Sequence, residues 1–285
     1  MTGQRPRRHT GRVLPPVVDA AWLAAHAGDD VVLADVRWYL DGRSGRAAHA
    51  AGHLPGAVFV DVDADLAGTP GDGGRHPLPE PADFAAAMGR LGIGDGDTVV
   101  AYDDDGGVIA ARLVWMLRAT GHRAALLDGG ITAWEGPLET APVTRPRVAF
   151  TPARWPAERL ASAEDADDDA TVVLDARARE RYTGQEEPVD PRAGHIPGAR
   201  SLPARGNVDA AGRLLPVEAL RDRLAAAGAD GSAPVVSYCG SGVTACHTLL
   251  VLEHAGLPPG RLYPGSWSEW SGDPSRPVAT GADPR

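Results

Sequence analysis

Lysine is absent from all 285 residues, and every one of the 28 basic side chains is an arginine. That removes Schiff-base catalysis and a phosphate-loop lysine. Cysteine is nearly as scarce: Cys239 and Cys246, seven positions apart, are the whole supply. Two such residues make no disulfide framework, and a reducing compartment fits. No run approaches the ~18 apolar residues that a membrane helix needs. The basic opening Met1-Thr2-Gly3-Gln4-Arg5-Pro6-Arg7-Arg8 is followed by no apolar stretch, so it fails as a secretory signal. The expectation is a frayed, solvated tail on a cytoplasmic protein. A net charge of −10 argues against nucleic acid or an anionic membrane as partner. The acidic run Glu164 to Asp169 lacks the glycine and closing glutamate of a calcium loop. It reads as a solvated loop, and no metal is expected.

What the chain does have is concentrated in residues 235–247, Val-Val-Ser-Tyr-Cys-Gly-Ser-Gly-Val-Thr-Ala-Cys-His. A β-branched run reads as a buried strand stopping at Cys239. A small glycine-bearing loop follows, and a helical pattern begins near Ala245. A cysteine on such a turn faces backbone N–H groups that the helix leaves unused. With the positive end of the helix dipole, they favour a thiolate over a thiol. Gly240 and Gly242 let the backbone fold closely around one sulfur atom and aim its amides inward. Cys239 is thus the candidate nucleophile, the alternative being a buried structural cysteine. Cys246, on the helix, reads as core.

The chain is also an internal duplication. Leu33-Ala34-Asp35-Val36-Arg37 returns as Val173-Leu174-Asp175-Ala176-Arg177, and Ala51-Gly52-His53-Leu54-Pro55-Gly56-Ala57 as Ala193-Gly194-His195-Ile196-Pro197-Gly198-Ala199. Val99-Val100-Ala101-Tyr102 returns as Val235-Val236-Ser237-Tyr238, an offset of 136 that also brings Trp134 onto Trp270. In this register Asp103 lies opposite Cys239, a carboxylate where the second copy has its thiol. With 23% charged and 43% hydrophobic residues, the chain has the composition of a globular protein and the length for two domains. The order of elements is α/β. Strands are expected at Val31 to Val36, Thr98 to Tyr102, Ala124 to Leu127, Thr171 to Asp175, Val235 to Tyr238 and Arg261 to Tyr263. Helices are expected at Ala20 to Ala27, around Leu113 to Leu117, at Val217 to Ala227 and at Ala245 to Ala255, with a helical turn opening at Thr132-Ala133-Trp134. Gly136 to Pro156, with five prolines, reads as a stiffened linker.

The Asp-x-Arg strand ends, the paired Gly-His-x-Pro-Gly-Ala turns, the closing Gly265-Ser266-Trp267-Ser268-Glu269-Trp270 and the single armed copy together resemble the tandem-domain sulfurtransferases of the rhodanese superfamily. The similarity covers nearly the whole chain. It implies an α/β fold of two tandem rhodanese-like domains, each a mainly parallel sheet flanked by helices. The inactive domain would span 13–136, a linker 137–156 and the catalytic domain 157–280. It further implies that Cys239 carries a persulfide, that no cofactor is needed, and that the acceptor is a thiol, a thioredoxin-like protein or cyanide.

The loop Cys239 to Ala245 resembles that of 3-mercaptopyruvate sulfurtransferases. Thiosulfate-using relatives carry basic residues after the cysteine, which suit a small dianion. Gly240 and Ser241 supply no charge, while Gly242, Val243 and Thr244 complete the expected donor-binding loop. By the same resemblance Arg181, in Arg181-Tyr182-Thr183-Gly184, grips the donor's carboxylate, for which a guanidinium fork is well shaped. Arg192 resembles a second substrate arginine, set 11 residues on where that branch has nine. Ser241 matches a serine that joins an aspartate and a histidine of the other copy in proton transfer; Asp63 and His76 stand at the matching places. His53 and His195 read as structural. A thiosulfate-preferring enzyme remains open, since backbone amides alone can hold an anion. So does a sulfur-relay or regulatory binding module. A Cys-x5-Arg phosphatase would need an arginine where Ala245 stands.

Overall fold

The computed structural model describes residues 14–26 and 31–283. The expected tail at Met1 to Arg8, position 13 at the head of the first expected domain, and Ala27 at the end of the first expected helix lie outside the described residues. The first copy runs β1 (Val17–Val18), α1 (Ala20–Ala25), β2 (Val31–Asp35), α2 (Gly45–Ala51), β3 (Val58–Phe59), α3 (Val62–Asp65), α4 (Pro81–Arg90), β4 (Thr98–Tyr102), α5 (Ala111–Ala119) and β5 (Arg123–Leu127). The second runs β6 (Val172–Asp175), α6 (Arg179–Tyr182), β7 (Arg200–Ser201), α7 (Val217–Ala226), β8 (Val235–Tyr238), α8 (Ala245–His254), β9 (Arg261–Leu262) and α9 (Ser266–Gly272).

Each copy builds one parallel sheet, in the order β1-β5-β4-β2-β3 and β7-β6-β8-β9. The second sheet's counterpart of β1 shrinks to a single parallel bridge between Leu160 and Leu262. All residues of β4 and β8 are buried, which is why they read as unbroken apolar runs rather than alternating ones. Loops leaving the carboxyl ends of such strands are where open α/β sheets gather their ligands. Asp103 and Cys239 occupy those two places.

The repeated motifs hold each sheet to its turn. Arg37 grips Asp35 at 2.6 Å and donates to the Gly52 carbonyl at 2.7 Å; Arg177 does the same with Asp175 and Gly194 at 2.6 and 2.7 Å. The Tyr102 hydroxyl accepts the Leu54 N–H, and that of Tyr238 accepts the Ile196 N–H. The Nδ1–H groups of His53 and His195 donate to the carbonyls of His49 and Tyr182, and both residues are fully buried. Nothing places them near Cys239; they lock the turns.

The expected linker contains no helix and no strand longer than an isolated bridge at Glu139, yet it is strapped to the first copy rather than free. Val148 N–H donates to Gly89, Trp155 Nε1–H to Pro79, and Thr151 Oγ1–H to Asp95. Phe150 stacks on His122 and meets Phe84 edge-on. The helical turn expected from Thr132 is a 3₁₀ turn at Gly130–Ala133, entered through left-handed Gly129 at φ 76°. Helix α4 escaped the sequence reading, although its Pro81 at the first turn is a start signal.

The two copies share a core. Leu113 to Leu117 of α5 and Leu249 to Leu252 of α8 belong to one buried cluster that crosses the boundary between them. In the first copy the loop after β4 is already occupied. The Asp103 carboxylate accepts the N–H groups of Asp105, Gly107, Ile109 and Ala110 at 2.7–2.8 Å and is fully buried. Burial raises its pKa, against the pull of those amides. Asp103→Asn should leave two buried N–H groups facing an NH₂ and cost about 2–4 kcal/mol. The urea midpoint should fall at unchanged slope, while Cys239 keeps its chemistry. A variant as stable as the parent would show that the four amides do not hold this loop.

Candidate active site

Cys239 directly follows β8 and is 2% exposed. Its backbone is pinned on both sides. Its N–H donates to Ser266 Oγ at 3.1 Å, and its carbonyl accepts the Trp267 N–H at 3.0 Å. Ser266 adopts φ 54°, the only positive value outside glycine among the described residues. The first copy has Gly130 at φ 53° in the same place. A serine here costs backbone strain and returns a hydroxyl acceptor to the cysteine's amide, the kind of local exchange that functional sites tolerate.

Between Cys239 and α8 the chain turns through Gly242 at φ 77°, where an added Cβ would lie 2.6 Å from the Pro264 carbonyl. Among the described residues, the N–H groups of Gly240, Ser241, Gly242, Val243 and Thr244 donate to no oxygen of the protein. They form the open counterpart of the amide set that Asp103 fills in the first copy. The Val243 side chain is buried in the shared core, so Val243 offers the loop its amide only. Thr244 caps α8 without a side-chain hydrogen bond. Cys246 lies in the core: burial pushes its thiol up to about 12, and its Sγ–H donates to the Gly242 carbonyl at 3.3 Å.

The first copy delivers a linked set of side chains to this loop. His76 Nδ1 lies 2.7 Å from Ser241 Oγ, and its Nε2 lies 2.8 Å from Asp63 Oδ1. A carboxylate only accepts, so Nε2 carries the proton and Nδ1 accepts from the Ser241 hydroxyl. Trp38 Nε1–H holds the other Asp63 oxygen at 3.0 Å, and its ring meets His76 edge-on. Burial lowers the His76 pKa from the ordinary 6.5, against the pull of Asp63. The structure therefore assembles Ser241, His76 and Asp63 into one hydrogen-bonded chain across the two copies.

Arg112, from α5, is fully buried and has no carboxylate partner among the described residues. Its guanidinium donates to the carbonyls of Gly242 at 2.9 Å, His76 at 3.0 Å and Leu66 at 3.2 Å. It ties the loop after Cys239 to the backbone that carries His76. The sequence reading missed Arg112, Trp38 and Ser266; only the positive-φ register of Ser266 against Gly130 could have flagged one of them.

The two expected donor arginines part company. Arg181 lies at the loop: an added Cβ on Gly240 would sit 3.3 Å from its Nη1. Its other atoms pair with Glu187 at 2.7 Å and Asp190 at 3.0 Å. Arg192 is not brought there. It donates to the carbonyls of Trp270, Ser271 and Asp273 at the end of α9 and to that of Arg276 beyond it. Those carbonyls are the unpaired groups a helix C-terminus leaves, and a guanidinium satisfies them. The expectation for Arg192 is corrected: its donors are spent on capping. Nine residues after Arg181 stands Asp190, an acid.

A duplicated parallel α/β protein with one thiol at a strand end and its polar chain drawn from both copies is a two-domain cysteine-dependent enzyme scaffold. The Rhodanese-like domain family matches it twice, over residues 19–137 and 157–273, and the chain belongs to that family. It is 42% identical to a Pseudomonas aeruginosa protein named as a 3-mercaptopyruvate sulfurtransferase, over 93% of this chain and 98% of that one. It is 41% identical to SseB of Mycobacterium tuberculosis, whose name refers to thiosulfate sulfurtransferase, over 95% and 98%. Its structure resembles that of SseA, a 3-mercaptopyruvate sulfotransferase from Escherichia coli, with a TM-score of 0.79 and 32% identity over 90% of this chain and 100% of that chain.

Ser266→Ala keeps the strained backbone but removes the acceptor for the Cys239 N–H, an expected cost of about 1–3 kcal/mol. Ser266→Gly loses the same bond but relaxes the backbone, so chemical denaturation should find it the more stable of the two. The reverse order would mean that φ 54° carries no strain.

Proposed function

We propose that this sulfurtransferase moves a sulfane sulfur from 3-mercaptopyruvate through a persulfide on Cys239 to a thiol, thioredoxin-like or cyanide acceptor. The observation that carries this reading is the Ser241–His76–Asp63 chain set beside a cysteine whose loop keeps its amides unspent. The chemistry is two-step nucleophilic catalysis. The donor's thiol proton passes to Ser241 Oγ as the serine's own proton moves to His76 Nδ1, and Asp63 steadies the imidazolium. The Cys239 thiolate attacks the donor sulfur: the S–S bond forms, the C–S bond breaks, and the electron pair leaves on carbon as the enolate. That carbon takes back the proton and departs as pyruvate. The persulfide remains, held by the loop amides, until an acceptor thiolate removes its outer sulfur. No step calls for a metal or an organic cofactor.

Thiosulfate is the second donor to consider, because a relative named for it is nearly as similar as one named for 3-mercaptopyruvate. With it, sulfite leaves and no enolate needs a proton, so the serine chain has less to do. We also place the protein in the cytoplasm. No helix among the described residues is long and apolar enough to cross a membrane.

Cys239→Ser should abolish turnover, and mass spectrometry of donor-treated protein should find about 32 Da, one sulfur atom, on the Cys239 peptide. Sulfur retained on Cys246 instead would overturn the assignment.

The second expectation is a pH dependence. His76 works neutral, and burial holds its pKa below 6.5. kcat/KM for 3-mercaptopyruvate should therefore be flat near neutrality and fall as pH drops through a value below 6.5, once Nδ1 is protonated and no longer accepts. Ser241→Ala should lose rate and flatten that limb. An unchanged acid limb in Ser241→Ala would separate the serine from the histidine's titration.

A further inference from the structure

We propose that Arg75, from the first copy, is the second cation of the donor site, and that Asp190 balances it so that a monoanionic carboxylate donor is favoured over a dianion. This rests on the sulfurtransferase reading above. An added Cβ on Gly240, the residue after Cys239, would lie 3.1 Å from Arg75 Nη2 and 3.3 Å from Arg181 Nη1. One guanidinium from each copy therefore converges on the same point of the loop. The charge that Gly240 and Ser241 do not supply arrives from outside it.

Arg75 is built into this place. Its backbone N–H donates to Ser268 Oγ at 3.1 Å, and that hydroxyl donates to the Gly265 carbonyl at 3.0 Å. Gly74 precedes it at φ 95°, where a Cβ would sit 2.6 Å from Ser268 Oγ and 2.7 Å from the Gly265 carbonyl. Only a glycine lets this segment lie so close to the start of α9. Asp190, with 3% of its side chain exposed, then joins the two arginines: Oδ1 accepts from Arg75 Nη1 and Oδ2 from Arg181 Nη2. The carboxylate takes one face of each guanidinium. Arg75 Nη2 and Arg181 Nη1 are left without an acceptor among the described residues, and these are the atoms nearest Gly240.

The charge of the cluster sets the ligand class. Arg75, Arg177 and Arg181 pair with Asp175, Glu187 and Asp190, so these six charges cancel one another, and the buried Arg112 and the exposed Asp63 add one charge of each sign beside the loop. The cluster offers directed N–H donors rather than a net positive field. A single carboxylate of a 2-oxo-3-thio acid takes those donors at the cost of one excess negative charge; thiosulfate brings two into a half-buried site.

The test compares the parent, Arg75→Ala, Arg75→Lys and Asp190→Asn, each checked by a denaturation curve, with both donors. Arg75→Ala should lower kcat/KM for 3-mercaptopyruvate roughly 10- to 100-fold, mostly through KM, as expected when one anchor of a charge-assisted grip is lost. Arg75→Lys should recover part of it. Asp190→Asn adds one net positive charge and should shift the ratio of kcat/KM values toward thiosulfate roughly tenfold. Pyruvate protection of Cys239 from iodoacetamide gives a readout that needs no turnover, and Arg75→Ala should weaken it. Values for Arg75→Ala within twofold of the parent, for both donors and for protection, overturn the role of Arg75. An unmoved donor ratio in Asp190→Asn overturns the charge balance. A parent whose Cys239 takes no sulfur from either donor would instead defeat the underlying sulfurtransferase reading.

Discussion

Everything in the site depends on a buried cation that has no carboxylate partner among the described residues. Arg112 is wholly enclosed and gives its hydrogen bonds to backbone carbonyls of both copies, at Leu66, His76 and Gly242. A guanidinium is suited to this because it keeps its charge at any accessible pH and presents five donors in a rigid fork. Its desolvation is offset only while all those carbonyls stay in place, so the arrangement tolerates little relative movement of the copies. The same contact sets the height of His76 over Ser241. The Ser241–His76–Asp63 chain and the loop after Cys239 are therefore positioned by one group.

This gives the first copy a physical reason to persist without a nucleophile. It supplies His76, Arg75 and Arg112, which bond to groups of the second copy, and Asp63 and Trp38, which hold the histidine from its other side. Its own counterpart of that loop points Asp103 into the four amides. The duplication has become a division of labour: one sheet presents the sulfur atom, and the other frames it.

The fold was legible because parallel strands buried on both faces leave unbroken β-branched runs, and because the repeat located the second copy from the first. Cys239 was legible for a local reason, a cysteine between strand and glycine loop. Ser241, Asp63 and His76 were reached through family resemblance, and the geometry brings the three together. Arg192 failed because a guanidinium's partners are set by tertiary context: the nearest unpaired carbonyls were those at the end of α9, not the loop. Arg75, Trp38 and Arg112 carry no local signal. Arg75 and Arg112 act across the boundary between copies, and Trp38 reaches Asp63 and His76 within the first; in each case sequence separation says nothing about distance. The linker misled for a related reason. Its prolines stiffen it, yet Val148, Phe150 and Trp155 bind it to the first copy's surface.

The filled loop of the first copy has a thermodynamic consequence. Asp103 is a ligand tethered to its own receptor, bound at full occupancy from the moment of folding, so the stability of that loop is independent of what the protein meets in solution. The second loop has no such tether: its amides donate to no oxygen of the protein among the described residues. Loading sulfur onto Cys239 should act as ligand binding does. Because the copies share one core, its interaction free energy would be felt by the whole molecule, so that resistance to unfolding rises and falls with the sulfur the protein carries.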